Sequence, residues 1–268
     1  MAVSLADLTA DLEAESKELF ALLAPLGEAD WDLMTPAKGW NIRDQVSHLA
    51  FFDERTNAAI SDPEGFRAVR PETMEALQAL VDGVAHDSRS RPGPELRAWF
   101  ERERATLLAA VTDRSGSDRV PRYGPDMSIP SMVTARIMET WAHGHDIADA
   151  LGIVLAPSDR LRHVIFLGLQ AVPNSFRGRG MPVPPTPIHL EALAPDGSTW
   201  SFGPPNETDT VTGSALDLAL VVTQRRHLAD TDVRAVGDTA RAWLAVAQAF
   251  AGPPTSGRAP MRSEAARG

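Results

Sequence analysis

The segment Met138-Glu139-Thr140-Trp141-Ala142-His143-Gly144-His145-Asp146 puts two carboxylates and two imidazoles within nine residues, in a chain with seven histidines and no cysteine. Such a group can bind a metal ion, move protons, or form only the polar end of a helix. On a helix Glu139 and His143 stand one turn apart on the same face, and Asp146 shares that face. His145 points away from them unless the helix breaks at Gly144. Two ligands do not make a catalytic metal site, which needs about three protein ligands and an open position. The third candidate is His48, in GWNIRDQVSHLAFFDE. With Val46, Leu49 and Phe52 around it, His48 alone reads first as a packed core histidine, and the Glu–His pair alone as an ordinary surface pair. Their joint presence on two long helices is more informative: His from one and Glu plus His from the other make a facial triad with exchangeable coordination positions.

Those helices are expected from periodicity. Leu5, Leu8, Leu12, Leu19, Phe20, Leu22 and Leu23 mark one stripe of a helix from Leu5 to Leu26. Asn41, with Asp44 in the first turn, caps a second helix to about Ile60. Pro71–Val84 and Pro94–Val111 give two more. After the turn-rich DRSGSDRVPRYGPD, Ser128 or Ser131 opens the helix that carries METWAHGHD to Leu151. Long helices with short connections predict an antiparallel bundle of the four-helix type over residues 1–155.

The pattern changes after Gly152. Ser158 is expected to cap a helix to about Val172, and the Gly/Pro-rich PNSFRGRGMPVPPTP to be irregular. IHLEALAPDGSTWSFGP reads as a β-hairpin about a Pro-Asp-Gly turn. Ser214 caps ALDLALVVTQRRH, with Asp217 at the capping-box position. A short strand from Val233 to Val236 leads to Asp238, the expected cap of TARAWLAVAQAF. The fold class is therefore α+β, with a smaller α/β domain over residues 156–252 and a polar, disordered tail over 253–268.

Composition narrows the function. The chain has 268 residues, 43% hydrophobic and 23% charged, as expected of a soluble globular protein. A net charge of −10 without a basic patch argues against nucleic acid. No apolar run reaches the roughly 20 residues of a membrane span, and the acidic N-terminus lacks signal-peptide order. With no thiols of its own, the chain is expected in the cytoplasm. Phosphate-loop and Ser/His/Asp hydrolase patterns are absent.

GWNIRDQVSHL followed by ETWAHGHD resembles the DinB-like metal-binding superfamily. The closer resemblance is to the branch of mycothiol-dependent maleylpyruvate isomerase, and closest to uncharacterised actinobacterial metal-binding or "wyosine base formation" domain proteins. It covers nearly the whole chain, including the PDGSTWSFGP hairpin and the VTQRRH helix. The resemblance places the metal ligands on His48, Glu139 and His143 and implies a divalent ion, zinc foremost, with nickel, manganese or iron as alternatives. Asp44 and Asp146, each within about a turn of a ligand, are candidates to orient the imidazoles or are simply helix electrostatics. His145 is either a proton shuttle or a solvated bystander.

An arginine of the second domain binds an anionic substrate in the isomerase branch. Arg225 and Arg226 are the nearest match, and a helix C-terminus alone would also favour such cations. Arg177 and Arg179, on a Gly-rich loop, could close over a carboxylated substrate or be solvated. Tyr123, the sole tyrosine, could line a pocket, whereas Trp31, Trp40, Trp99 and Trp141 read as bundle packing.

The expectation is a metal-dependent isomerase or transferase, monomer or homodimer, that activates a thiol of the mycothiol type towards an electrophilic small molecule. His145, Asp146 and Arg225 would be its catalytic residues. A thiol-independent Lewis-acid isomerase, cyclase or hydrolase, with His145 or Asp146 as acid/base, and a non-catalytic binding module are the alternatives.

Overall fold

The computed structural model describes residues 3–261. It divides into two compact units, Met1–Leu155 and Ala156–Gly268. The fold is α+β: a helical first unit, then a four-stranded mixed sheet with helices.

The first unit contains α1 (Leu5–Leu23), α2 (Ile42–Ser61), α3 (Pro63–Val69), α4 (Met74–Ser88), α5 (Gly93–Thr112), a hairpin of β1 (Arg119–Arg122) and β2 (Gly124–Ser128), and α6 (Ile129–Leu151). Asn41 accepts from the Asp44 amide while the Asp44 carboxylate accepts from the Asn41 amide, a reciprocal cap that starts α2. At α6 the cap is Ser128, whose hydroxyl accepts from the Ser131 amide, and left-handed Gly152 ends the helix. The hairpin was not expected. Pro121 removes a donor from β1 and the register slips between Val120 and Arg122, so the alternation that announces a strand is missing.

Two apolar clusters fill the bundle, and a polar layer separates them. One cluster holds Leu8 and Leu12 of α1, Ala59 and Ile60 of α2, Leu107 and Val111 of α5, and Ile129 and Val133 of α6. The other holds Leu19 and Leu23, Val46 and Leu49, Leu96 and Phe100, and Ile147 of the same four helices. The order of these residues shows that α1 and α6 run one way and α2 and α5 the other; α3 and α4 carry the chain back between α2 and α5. At the middle level each helix contributes a polar residue. Asp53 of α2 accepts from Nε of Arg104 on α5 at 2.7 Å and from Nε of Arg136 on α6 at 2.8 Å. Arg104 also donates to the Ser16 hydroxyl of α1 and, at 3.0 Å, to the Thr140 hydroxyl of α6. The Arg136 guanidinium reaches the Leu49 carbonyl at 3.3 Å.

The second unit contains α7 (Leu161–Gln170), α8 (Val172–Arg177), β3 (His189–Leu193), β4 (Thr199–Phe202), β5 (Thr210–Ser214), α9 (Ala215–Val222), β6 (Arg234–Val236) and α10 (Asp238–Leu244). The strand order is β4-β3-β5-β6, with β3 and β4 forming the expected hairpin and β3 parallel to β5. Four expectations are corrected here. The helix after Ser158 starts at Leu161, and Asn174 to Arg177 of the Gly/Pro-rich stretch are helical, because Pro173 sits in a first turn where its missing N–H costs nothing. Ser214 does cap α9, but the helix stops at Val222 and Gln224 is left-handed (φ 60°), so Arg225 and Arg226 lie beyond it. Asp238 does not cap α10. That role falls to Asp209, whose carboxylate accepts from the amides of Thr239 (2.8 Å) and Ala240 (3.1 Å), while Gly237 occupies a left-handed position where a Cβ would strike the Thr208 carbonyl. Within residues 253–261, the Thr255 carbonyl accepts from Arg179 at 2.6 Å and the Met261 amide donates to Asp230 at 2.8 Å. The rest of the expected tail lies outside the described residues.

Removing one partner of the buried polar layer strands charge in the bundle core. Asp53→Ala is expected to lower the unfolding free energy by about 3–5 kcal/mol, read as a shift of the urea midpoint at constant slope. A loss below about 1 kcal/mol, the scale of an exposed pair, would contradict the dry, charge-compensated layer.

Candidate metal centre

His48 on α2 and Glu139 and His143 on α6 converge, their ligand atoms all within 4.8 Å of one another. The separation from Glu139 Oε2 is 3.2 Å to Nε2 of His143 and 3.9 Å to Nε2 of His48. The two imidazole centroids are 4.6 Å apart. A tetrahedral ion with bonds of ~2.0–2.2 Å spaces its ligand atoms about 3.4 Å apart, so the donor set and its spacing fit a divalent cation.

The charges fit as well. Burial pushes the Glu139 carboxyl up, but its hydrogen bond to His143 and the charges of His143, His48 and Arg136 prevail and hold it at about 2. It is therefore a carboxylate at neutral pH. His143 is oriented from behind: its Nδ1 donates to Oε1 of Gln45. The Gln45 amide is itself fixed, because its Nε2 donates to the Thr35 hydroxyl at 2.8 Å and that hydroxyl donates to the Trp40 carbonyl at 2.9 Å. With a proton held on Nδ1, Nε2 faces Glu139, where it either donates to the carboxylate or offers its lone pair to a cation lying between them.

Aromatic rings wall the imidazoles. Trp40 lies 5.2 Å from the His48 ring and stacks on His143 at 6.0 Å, and Phe52 packs on His48 at 4.7 Å. Trp40, expected only as bundle packing, thus borders the site. Trp31 and Trp99 belong to the apolar core, as expected.

The remaining sequence candidates have the following surroundings, each within its own unit. Asp44 does not orient an imidazole: it completes the α2 cap and takes two hydrogen bonds from Arg89, at 3.0 and 2.7 Å. His145 is buried, with its ring 4.2 Å from that of Trp141, and so is neither solvated nor at a rim. Asp146 is buried on α6 outside the converging three. In the second unit, Nη1 of Arg225 donates to the Thr223 carbonyl at 2.8 Å and its guanidinium lies over Phe250. Arg177 closes α8, and Arg179 is tied to the Ser175 and Thr255 carbonyls rather than riding on a free loop. Gln45 is the residue beside the converging three that sequence reading missed. Its signal was position alone, three residues before His48 on a helix, with an uncharged side chain that no ligand rule selects.

A family profile described as "Mycothiol maleylpyruvate isomerase N-terminal domain" matches residues 12–148. The chain belongs to this family. Two proteins of Mycobacterium tuberculosis, one from strain CDC 1551 / Oshkosh and one from strain H37Rv and both named only as uncharacterized, are 42% identical to it over 252 residues. The match spans 93% of this chain and 97% of each relative. Among solved structures, mycothiol-dependent maleylpyruvate isomerase superposes with a TM-score of 0.60 at 16% identity. A histidine-to-alanine mutant of it gives 0.61 at 17%. Both cover 87% of this chain and 93% of the other. At that identity the likeness speaks for the fold. No helix among the described residues is long and apolar enough to cross a membrane.

His48→Ala is expected to cut metal content sharply in protein purified without added ions, with helix content by circular dichroism nearly unchanged. Gln45→Leu keeps all three ligands but frees the His143 ring, and should weaken zinc affinity about 10–100-fold, measured by competition with a chromophoric chelator. Wild-type affinity in that variant would rule out Gln45 as the orienting group.

Proposed function

We propose that the chain is a divalent-metal-dependent enzyme that joins a low-molecular-weight thiol, of the mycothiol type, to an electrophilic small molecule, as a transferase or an isomerase. The observation that carries this reading is the His48, Glu139 and His143 constellation with its Gln45 support. Family membership supports it, as does the fold shared with a mycothiol-dependent isomerase. Two imidazoles and a carboxylate suit zinc first, with nickel, manganese and iron also compatible. When bound, such an ion supplies positive charge that lowers the pKa of a thiol and polarises a carbonyl.

The chain's own residues set the conditions for that chemistry. Glu139 enters ionised, so two neutral imidazoles and one carboxylate leave a divalent ion with net positive charge. Gln45 holds the His143 tautomer, and Trp40 and Phe52 limit water around the imidazoles. The chain has no cysteine, so the sulfur nucleophile must come from outside. In an isomerisation the thiolate sulfur forms a bond to an activated alkene carbon, the resulting single bond rotates, and the same carbon–sulfur bond breaks to restore the alkene and the thiol. In a transfer that bond is kept and a proton or leaving group balances it. His145 and Asp146 are the candidates within α6 for moving that proton, and Arg225 is a candidate for anion binding in the second unit.

Turnover of a panel of conjugated electrophiles should require both added zinc and added thiol, and be lost on chelation and restored by metal. Activity that survives without thiol would replace this mechanism by thiol-independent Lewis-acid catalysis. Tight metal binding with no turnover of any thiol–electrophile pair would make the chain a binding module.

A further inference from the structure

α4 is packed at one end only. Its inward face carries Met74, Leu77, Val81, Val84, Ala85 and Ser88, positions three or four apart along most of the helix. Ala85 and Ser88 are buried, whereas Leu77 and Val81 are half-buried and Met74 is 45% exposed. The change falls at Gly83: no residue from Met74 to Asp82 is buried.

The two ends are tied down differently. Beyond the helix, the Arg89 guanidinium donates to the Asp44 carboxylate at 2.7 Å and to the Gly39 carbonyl at 2.8 Å, which fixes the C-terminal end against the start of α2. There Val84 and Ala85 border a narrow gap with Trp40, His48 and Phe51. Ahead of the helix, Arg70 donates to the hairpin carbonyls of Arg122 and, at 3.2 Å, Gly124. Between that anchor and α4 lie Pro71, Glu72 and Thr73, which belong to no helix or strand.

Beside the N-terminal half the structure is open. A cleft of about 400 Å³ is lined by Arg67, Arg70, Met74, Leu77, Tyr123 and Gly124. Tyr123 packs on Phe52, and Phe52 on His48, so the cleft wall lies two rings from the metal centre.

An apolar face held at an open cleft gains by closing, since burial of Met74 and Leu77 removes apolar surface from water. Gly83 supplies the joint. It weakens the helix relative to alanine, and a Cβ there would meet nothing within 4 Å, so packing does not demand a glycine. With so few buried contacts, Met74–Asp82 stands at the low-stability end of the first unit.

We propose that Met74–Asp82 is a lid, jointed at Gly83 and at residues 71–73, that swings over this cleft and covers the approach to the metal centre. Closing brings Met74 and Leu77 towards the hairpin and shields the surroundings of His48 from water. The swing needs neither ion nor thiol; only its use in turnover rests on the proposed function.

The chain has no cysteine, so two thiols can be placed without competition. Full-length protein is given Glu75→Cys on the lid and Pro125→Cys at the hairpin tip, both exposed, and each thiol carries a nitroxide. Pulsed electron paramagnetic resonance is expected to show two distances, the shorter from the closed lid. Leu77→Glu puts a charge on the inward face and should cut the shorter population at least about fivefold, while Ala79→Glu on the outward face leaves it. Gly83→Ala should slow amide exchange across Met74–Asp82 about fivefold, the scale of the glycine–alanine difference in a helix, with α2 and α6 unchanged. A single narrow distance that Leu77→Glu does not move overturns the proposal. So does an equal loss of the shorter distance in Ala79→Glu, because the inward face would then play no part. Amide exchange on the unsubstituted chain decides the matter even where a variant fails to fold: exchange across Met74–Asp82 as slow as in α2 and α6 overturns the lid. Two distances beside an enzyme indifferent to zinc support the lid and sink only its role in metal-dependent turnover.

Discussion

The Asp53 carboxylate, shared between Arg104 and Arg136 at the centre of the bundle, is the interaction on which the rest of the first unit depends. Two apolar clusters would tolerate small slips of one helix along another, because hydrophobic contact has little directionality. A buried charge layer does not. Shifting α2 against α6 by one turn would take a carboxylate from two guanidiniums and leave all three groups dry and unpaired. Ser16 and Thr140 extend the same layer to α1 and the far side of α6. The layer adds little net stability compared with an apolar core of the same volume, yet it sets a single level for all four helices.

That level also sets the metal centre. His48 lies between one and two turns before Asp53 on α2, and Glu139 and His143 flank Thr140 on α6. The convergence of the three ligands is thus a by-product of the register that the charge layer imposes. Arg136 serves in both places, pairing with Asp53 and helping to keep Glu139 ionised. The Gln45 amide adds a third constraint, because it links the His143 ring through Thr35 to the backbone of Trp40. Ligand charge, ring orientation and the aromatic wall are therefore supported by neighbouring parts of one hydrogen-bonded frame.

How much of this was legible in the sequence follows from the range of each interaction. Helix periodicity placed Glu139 and His143 on one face, and the Asn41 and Ser214 caps were readable because capping acts within three residues. That His48 would meet them came only through joint occurrence on two long helices and a family resemblance, since nothing local says which helices touch. Gln45 escaped because an amide has no charge or metal preference to attract notice. Asp209 capping α10 from across the sheet escaped because the partners are about thirty residues apart in the chain. The end of α9 was misjudged since a left-handed Gln224 is a tertiary outcome, and the hairpin before α6 was hidden by Pro121, Gly124 and Pro125.

Ser128 is at once the last ladder residue of β2, opposite Arg119, and the residue that caps α6. The Ile129 amide is in turn bonded to the Asp118 carbonyl ahead of β1. No slack residue separates sheet from helix. One amino acid inserted at that seam would turn α6 by about 100° against the hairpin or drag the hairpin out of register. A change of length in this part of the chain can be absorbed without disturbing the seam only at the tip between the strands, so the hairpin and the ligand-bearing helix behave as a single piece.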